Sequence, residues 1–174
     1  MFILISELLR EKKHREGECM KYIKVQKLTK DSFKKFGEVL TIEGREAGGN
    51  PNTHLWFPKV AVVDEKTSVN LMKLIPHEFV VKDFEKHNET IENLIPIDGD
   101  LIVALAPAGE LKEDKIEVFY IPCGKGICLN KEVWHAIPFA VGKEVMSTVV
   151  FKYDTSNTDI YFDSINEEIG LSLS

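Results

Sequence analysis

The chain predicts an all-β domain, a sandwich or a barrel, and three observations carry that reading. From Tyr22 onward the sequence runs in short β-branched or alternating segments broken by turn residues. About ten such segments crowd into roughly 130 residues, which suits a sandwich or barrel rather than an α/β fold. Only one stretch after Met20 has the caps of a helix. At 174 residues the chain is long enough for one domain with a substantial core.

Taken in order, YIKVQKL (residues 22–28) is the first strand candidate. TKDSFKKFGEV (29–39) is the helix, with Thr29 or Asp31 as N-cap and Gly37 as its stop, placed as a connector outside the barrel. EVLTIE (38–43) follows, and TIEGREAGGNPNTH (41–54) gathers Gly, Asn and Pro into a mobile loop of the kind that lids sites. The remaining candidates are WFPKVAVVD (56–64), VNLMKLI (69–75), EFVVKDFEKH (78–87), NLIPI (93–97), LIVALAP (101–107), KIEVFYIP (115–122), GICLN (126–130) and EVMSTVVFKYD (144–154). GELKEDK and TSNTD are polar turns, and neither repeats nor low-complexity tracts occur.

A net charge of -6 with a pI near 5.4 and no clustered basic face argues against nucleic acid and anionic membrane as partners. A small molecule or a second copy of the chain is expected instead. No apolar run reaches the ~20 residues that span a bilayer. Three cysteines, Cys19, Cys123 and Cys128, form no CxxC pair, which fits a reducing cytoplasm. Cys123 and Cys128 fall in strand-like sequence and are expected as buried free thiols.

Residues 1–19 stand apart. REGECMKYIKV reads back to purine-rich codons resembling a ribosome-binding site before an internal start, so Met20 is expected as the biological start; the alternative is a genuine N-terminal helix in ISELLREKKHRE. With Met20 as the start, Arg45 is the one arginine left.

The chemistry concentrates in FEKHNETIENLIPIDG (84–99). Strand alternation puts Phe79, Val81, Asp83, Glu85 and His87 on one face and Val80, Lys82, Phe84 and Lys86 on the other. Inside a barrel Glu85 needs a partner, a proton or a cation. Glu85-x-His87-x4-Glu92-x6-Gly99 resembles the first motif of the cupin superfamily, and Gly124-x5-Asn130-x-Glu132-x2-His135 resembles the second, with Asn130 and Glu132 replacing its usual proline and glycine. The resemblance implies a cupin-type double-stranded β-helix, a jelly-roll barrel with one or two short peripheral helices. It makes Glu85, His87, Glu92 and His135 the metal-ligand candidates, a donor set suited to Mn, Fe, Ni or Zn.

Two longer blocks resemble the ureidoglycolate lyase family, formerly called ureidoglycolate hydrolase. They are FEKHNETIENLIPIDGDLIVALAP and IEVFYIPCGKGICLNKEVWHAIPF, with FGEVL earlier in the chain. The resemblance implies a homodimeric cupin that splits ureidoglycolate, a small anionic metabolite of purine nitrogen salvage, into glyoxylate and urea. It implies His87 and His135 as metal or substrate contacts, Glu85 as a further ligand and Glu92 as ligand or base. Family members tend to carry histidines where Asn130 and Ala136 stand, and a glutamine where Glu92 stands. Asn130, Lys73 and Arg45 are the candidates for holding the substrate anion. Trp134 is expected to pack between sheets and His77 to bond locally. The alternatives are a metal-dependent cupin of other chemistry, such as a sugar isomerase or dioxygenase, and a small-molecule-binding cupin without turnover.

Overall fold

The computed structural model describes residues 20–50, 54–56, 60–62 and 65–173. The expectations for residues 1–19, including the choice of start and the N-terminal helix, fall outside that range. The fold is a closed, cupin-type β-barrel.

The strands are β1 (Lys21–Lys27), β2 (Gly37–Leu40), β3 (Gly48–Asn50), β4 (His54–Trp56), β5 (Thr67–Leu74), β6 (Val80–Lys86) and β7 (Glu92–Pro96). They continue with β8 (Leu101–Ala106), β9 (Glu117–Ile121), β10 (Gly126–Leu129), β11 (Trp134–His135), β12 (Phe139–Ala140), β13 (Val145–Lys152) and β14 (Tyr161–Ser172). Helices are single turns, α1 (Lys30–Phe33) and α2 (Thr155–Thr158), besides a 3-10 turn at Glu113–Lys115. Among the described residues, no helix is long and apolar enough to cross a membrane.

A seven-stranded sheet runs β11-β6-β14-β1-β9-β8-β12, and β11 also pairs with β8, so the sheet curls until its edges meet. A five-stranded sheet, β2-β10-β7-β13-β5, packs against it. Two cores result. Leu94, Leu101, Val103, Leu105, Phe119, Ile127 and Val149 belong to the first, together with the aromatic trio Phe33, Phe36 and Phe119. Val81, Phe84, Ile102, Ala104, Ala106, Val118, Trp134 and Ile169 belong to the second. Strand β8 is buried along its whole length because alternate residues enter alternate cores.

The expected helix shrinks to one turn. Thr29 caps it in a reciprocal box with Ser32, but residues 34–36 turn away and Gly37 opens β2 instead of closing the helix. Gly37 is needed there because a Cβ would stand 1.8 Å from the Cys128 carbonyl oxygen. The expected loop over residues 41–54 carries β3, which pairs with β4. Of the strand expected over residues 56–64, Trp56 ends β4, Val60 and Ala61 bend and Val62 is irregular, and residues 57–59 and 63–64 lie outside the described range. Cys123 is exposed, contrary to expectation, because β9 ends at Ile121 and Cys123 lies in the following turn; Cys128 is buried as expected. Burial pushes the Cys128 thiol up to about 11.

The largest omission from the sequence reading is β14. It pairs antiparallel with β6 and parallel with β1, joining two halves of the seven-stranded sheet. Its sequence, YFDSINEEIGLS, leaves most of its first eight residues exposed, so the alternation that marks a strand is missing.

Candidate metal and catalytic site

The register of β6 against β11 sets Glu85 directly beside His135, so both side chains leave the same face of the sheet. His87 follows the last residue of β6, and Glu92 opens β7 opposite Leu129. His87 and His135 are each 4% exposed, and Glu92 is 8% exposed. The Nε2 atom of His87 stands 3.1 Å from Glu92 Oε2. The Nε2 atom of His135 stands 3.4 Å from Glu85 Oε1 and 3.7 Å from Glu92 Oε2. Glu85, His87 and His135 each present a donor atom, and those atoms lie within 4.8 Å of one another.

The alternation expected along β6 holds for Glu85 and His87 but slips above them. Val81 joins Phe84 in the second core, while Asp83 is exposed and bonds Ser164. A bulge in β14 between Ser164 and Ile169 lies against this point and re-aims the strand.

Both imidazoles are fixed through Nδ1. That atom of His87 lies 2.6 Å from the Asp159 carbonyl oxygen, and that of His135 lies 3.1 Å from the Val133 carbonyl oxygen. A carbonyl oxygen only accepts, so each Nδ1 carries a proton and donates it. A neutral ring then turns the lone pair of Nε2 toward the carboxylates. Two acceptors facing one another are stable only with a second proton or a cation between them. His135 Nε2 is buried without a hydrogen-bond partner.

Burial pulls the His87 imidazole down, but the Glu92 hydrogen bond, the Asp159 carbonyl and the Glu92 charge outweigh it, and the net shift is upward. His135 behaves likewise, with burial opposed by the charges of Glu92 and Glu85. Burial pushes Glu92 up, but the charge of His135 and the hydrogen bond and charge of His87 carry it below its ordinary range. A divalent cation satisfies the same charges without protons. Donors about 2.1 Å from one ion stand roughly 3.0–3.4 Å apart, which the 3.4 Å between His135 Nε2 and Glu85 Oε1 meets, while the three donors of Glu85, His87 and His135 lie within 4.8 Å of one another. The partnerless Nε2, the lone-pair directions and these spacings all fit a metal ion.

The residues expected to hold the substrate anion are not brought to this cluster. Lys73 points outward, because Met72 and Leu74 on either side of it face the first core, and it pairs with Glu144 at 2.7 Å. Arg45 donates to the backbone oxygens of Thr41 and Val60. Asn130 is exposed, and its backbone N–H donates to Phe36. Trp134 packs in the second core beneath the Lys86 ammonium and donates to the Gly109 carbonyl, while His77 bonds the Ile75 carbonyl beside the Phe139 ring.

Three features were missed by sequence reasoning. Phe151 brings its ring to 5.9 Å from the ring of His87. Ser68, paired with Phe151 by register, and Asn70 lie on the inner side of β5, where the Asn70 amide donates to Ser68 Oγ. Glu132, which stands where the cupin motif usually has glycine, adopts φ 66°, a left-handed conformation that favours glycine, and its N–H donates to the His87 carbonyl at 2.7 Å. The mismatch with the motif at position 132 was the available signal for the last of these.

The model of the family described as ureidoglycolate lyase matches residues 20–170. A ureidoglycolate lyase of Burkholderia mallei (strain NCTC 10229) is 30% identical over 162 residues, 88% of this chain and 95% of that protein. One from Pseudomonas syringae pv. tomato is 24% identical over 156 residues, 83% of this chain and 92% of the relative. Among solved structures, a 3,4-ketoisomerase from Thermoanaerobacterium thermosaccharolyticum superposes with a TM-score of 0.50 at 14% identity, covering 71% of this chain and 84% of that one. A dTDP sugar isomerase from Desulfovibrio desulfuricans G20 also gives 0.50, at 12% identity over 71% of this chain and 81% of its own. At those identities the structures bear on fold alone.

Proposed function

The chain belongs to the ureidoglycolate lyase family, and from that premise we propose that it eliminates urea from ureidoglycolate to leave glyoxylate. The carrying observation is Glu92, a buried carboxylate within 3.1 and 3.7 Å of two imidazole nitrogens and adjoining the donor group of Glu85, His87 and His135. Those three would hold a divalent ion, Mn, Fe, Ni or Zn by donor type. When bound, such an ion lowers the pKa of a neighbouring hydroxyl.

Glu92 acts as the base. It takes the proton of the carbinol hydroxyl; the O–H bond breaks, the carbonyl forms, and the bond from carbon to the ureido nitrogen breaks. Glu92 then returns the proton to the departing nitrogen, so atoms and charge balance with no other reactant. His87 and His135 stay neutral at Nε2 and orient the reacting end. Ser68 and Asn70, on the inner side of β5 beside Phe151, are the side chains that would meet the substrate from that strand. The reading includes a homodimer, supported by Val69 and Leu71, each 71% exposed on the outer face of edge strand β5.

The test is urea release from ureidoglycolate by purified protein loaded in turn with Mn2+, Fe2+, Ni2+ or Zn2+. Release with at least one ion, abolished by a chelator and restored by that ion, is expected. Protein that retains metal but frees no urea above the uncatalysed rate would overturn the proposal.

A further inference from the structure

We propose that Asp159 is the positioning residue for His87, setting the tautomer and direction of its ring so that Nε2 is the atom presented to the cluster. The inference rests on the metal-holding part of the proposed function and is independent of ureidoglycolate as the substrate.

Asp159 is 4% exposed and makes three hydrogen bonds to one short segment. Its backbone carbonyl accepts from His87 Nδ1 at 2.6 Å. Its carboxylate accepts from the next two backbone N–H groups, Asn88 to Oδ1 at 2.9 Å and Glu89 to Oδ2 at 2.8 Å. The side chain thus locks residues 87–89 to the same residue whose carbonyl meets the ring. Its own N–H donates to the Thr155 carbonyl at 2.9 Å, which ties it to α2. From the opposite side, the Glu132 N–H holds the His87 carbonyl.

A carboxylate is needed because both oxygens must accept at once. If the clamp opens, the carbonyl drifts from Nδ1, the proton is free to sit on either nitrogen, and the ring can turn. A hydrogen bond from a ligating imidazole to a carbonyl or carboxylate is a general means of fixing which nitrogen meets a metal. The segment between β13 and β14 therefore completes a site whose donors all lie earlier in the chain.

The test compares wild type with Asp159→Ala, which removes both acceptors, and Asp159→Asn, which keeps one. The control is Asp83→Ala, which removes the carboxylate on the exposed side of β6 that accepts from Ser164 of β14. Mn2+ affinity is read by electron paramagnetic resonance titration, and the His87 tautomer by long-range 15N–1H correlation in the metal-free protein at a pH high enough to leave the ring neutral.

Wild type is expected as the Nδ1–H tautomer. Asp159→Ala should lose about 10–100-fold in Mn2+ affinity and show mixed tautomers, with Asp159→Asn intermediate and Asp83→Ala unchanged in both readouts. A mixed tautomer in wild type would overturn the proposal. So would an Asp159→Ala protein with an intact tautomer and unweakened binding, or with a loss no larger than that of Asp83→Ala. If Asp159→Ala fails to fold, Asp159→Asn decides by the same two readouts. Should wild type bind Mn2+ yet release no urea, the proposed reaction fails while this inference is judged on its own measurements.

Discussion

Glu92 and Leu94 stand two residues apart on the inner face of β7, and within that single pleat the barrel interior changes from a charged cluster to an aliphatic core. Leu94, 1% exposed, sits among Val103, Phe119, Ile127 and Val149. Burying such a side chain stabilises the fold by about 2 kcal/mol. Glu92 is 8% exposed, yet burying an unpaired carboxylate costs several kcal/mol in real proteins. The core end of the strand holds the barrel together; the cluster end depends on two imidazoles or a cation to be tolerated at all.

The contrast is broken most sharply by exchanging one role for the other. Glu92→Gln should lower urea release about 10²–10⁴-fold, with metal content kept by Glu85, His87 and His135. Leu94→Ala should lower stability by about 2–5 kcal/mol and leave the turnover of folded protein near that of wild type. Steady-state rates, elemental analysis and guanidinium unfolding measure all three quantities. Glu92→Gln protein within tenfold of wild type would remove Glu92 from the role of base.

A pH series on metal-free protein sharpens the comparison. His87 and His135 have folded pKa values raised above the ordinary 6.5, so their contribution is complete below that value and lost as pH rises through the raised ones. Glu92 is lowered from 4.5, so its contribution is present above that value and lost as pH falls through the lowered one. The thermal midpoint of chelator-treated protein should therefore fall from pH 6 to pH 9. Metal loading should reverse the slope, because ligand deprotonation favours binding. Scanning calorimetry on both forms checks it, and parallel slopes would contradict the cluster's role.

The smallest effect belongs to Glu132. Its left-handed φ of 66° favours glycine, so Glu132→Gly should add at most about 1 kcal/mol of stability, offset in part by the freer unfolded chain. Guanidinium midpoints resolve a change of that size, and a clear destabilisation would show that the Glu132 side chain itself matters.

Much of this was legible in sequence because it is local. Alternation between turn residues marks most of the barrel strands, and resemblance to the two cupin motifs groups Glu85, His87, Glu92 and His135, whose side chains the fold brings together. The failures are equally physical. Charge alone marks Lys73 as an anion holder, but one step along β5 separates the inner face from the outer, and Lys73 lies on the outer. Strand β14 escaped because much of it is exposed and no periodic pattern was imposed on it. Asp159 lies in a polar turn, TSNTD, of a kind that fills many surface loops.

What the sequence by itself determined is the all-β class, the order of the strands it could see, and the residue types able to hold a divalent cation. These follow from backbone alternation and side-chain chemistry, which a short window contains. Only the tertiary structure decided that Glu85 and His135 are neighbours, that Asp159 and Val133 offer the carbonyls that fix each Nδ1, and that Lys73 faces away. Those outcomes depend on strand register and on groups up to 72 residues apart, as between His87 and Asp159, and no local pattern encodes them.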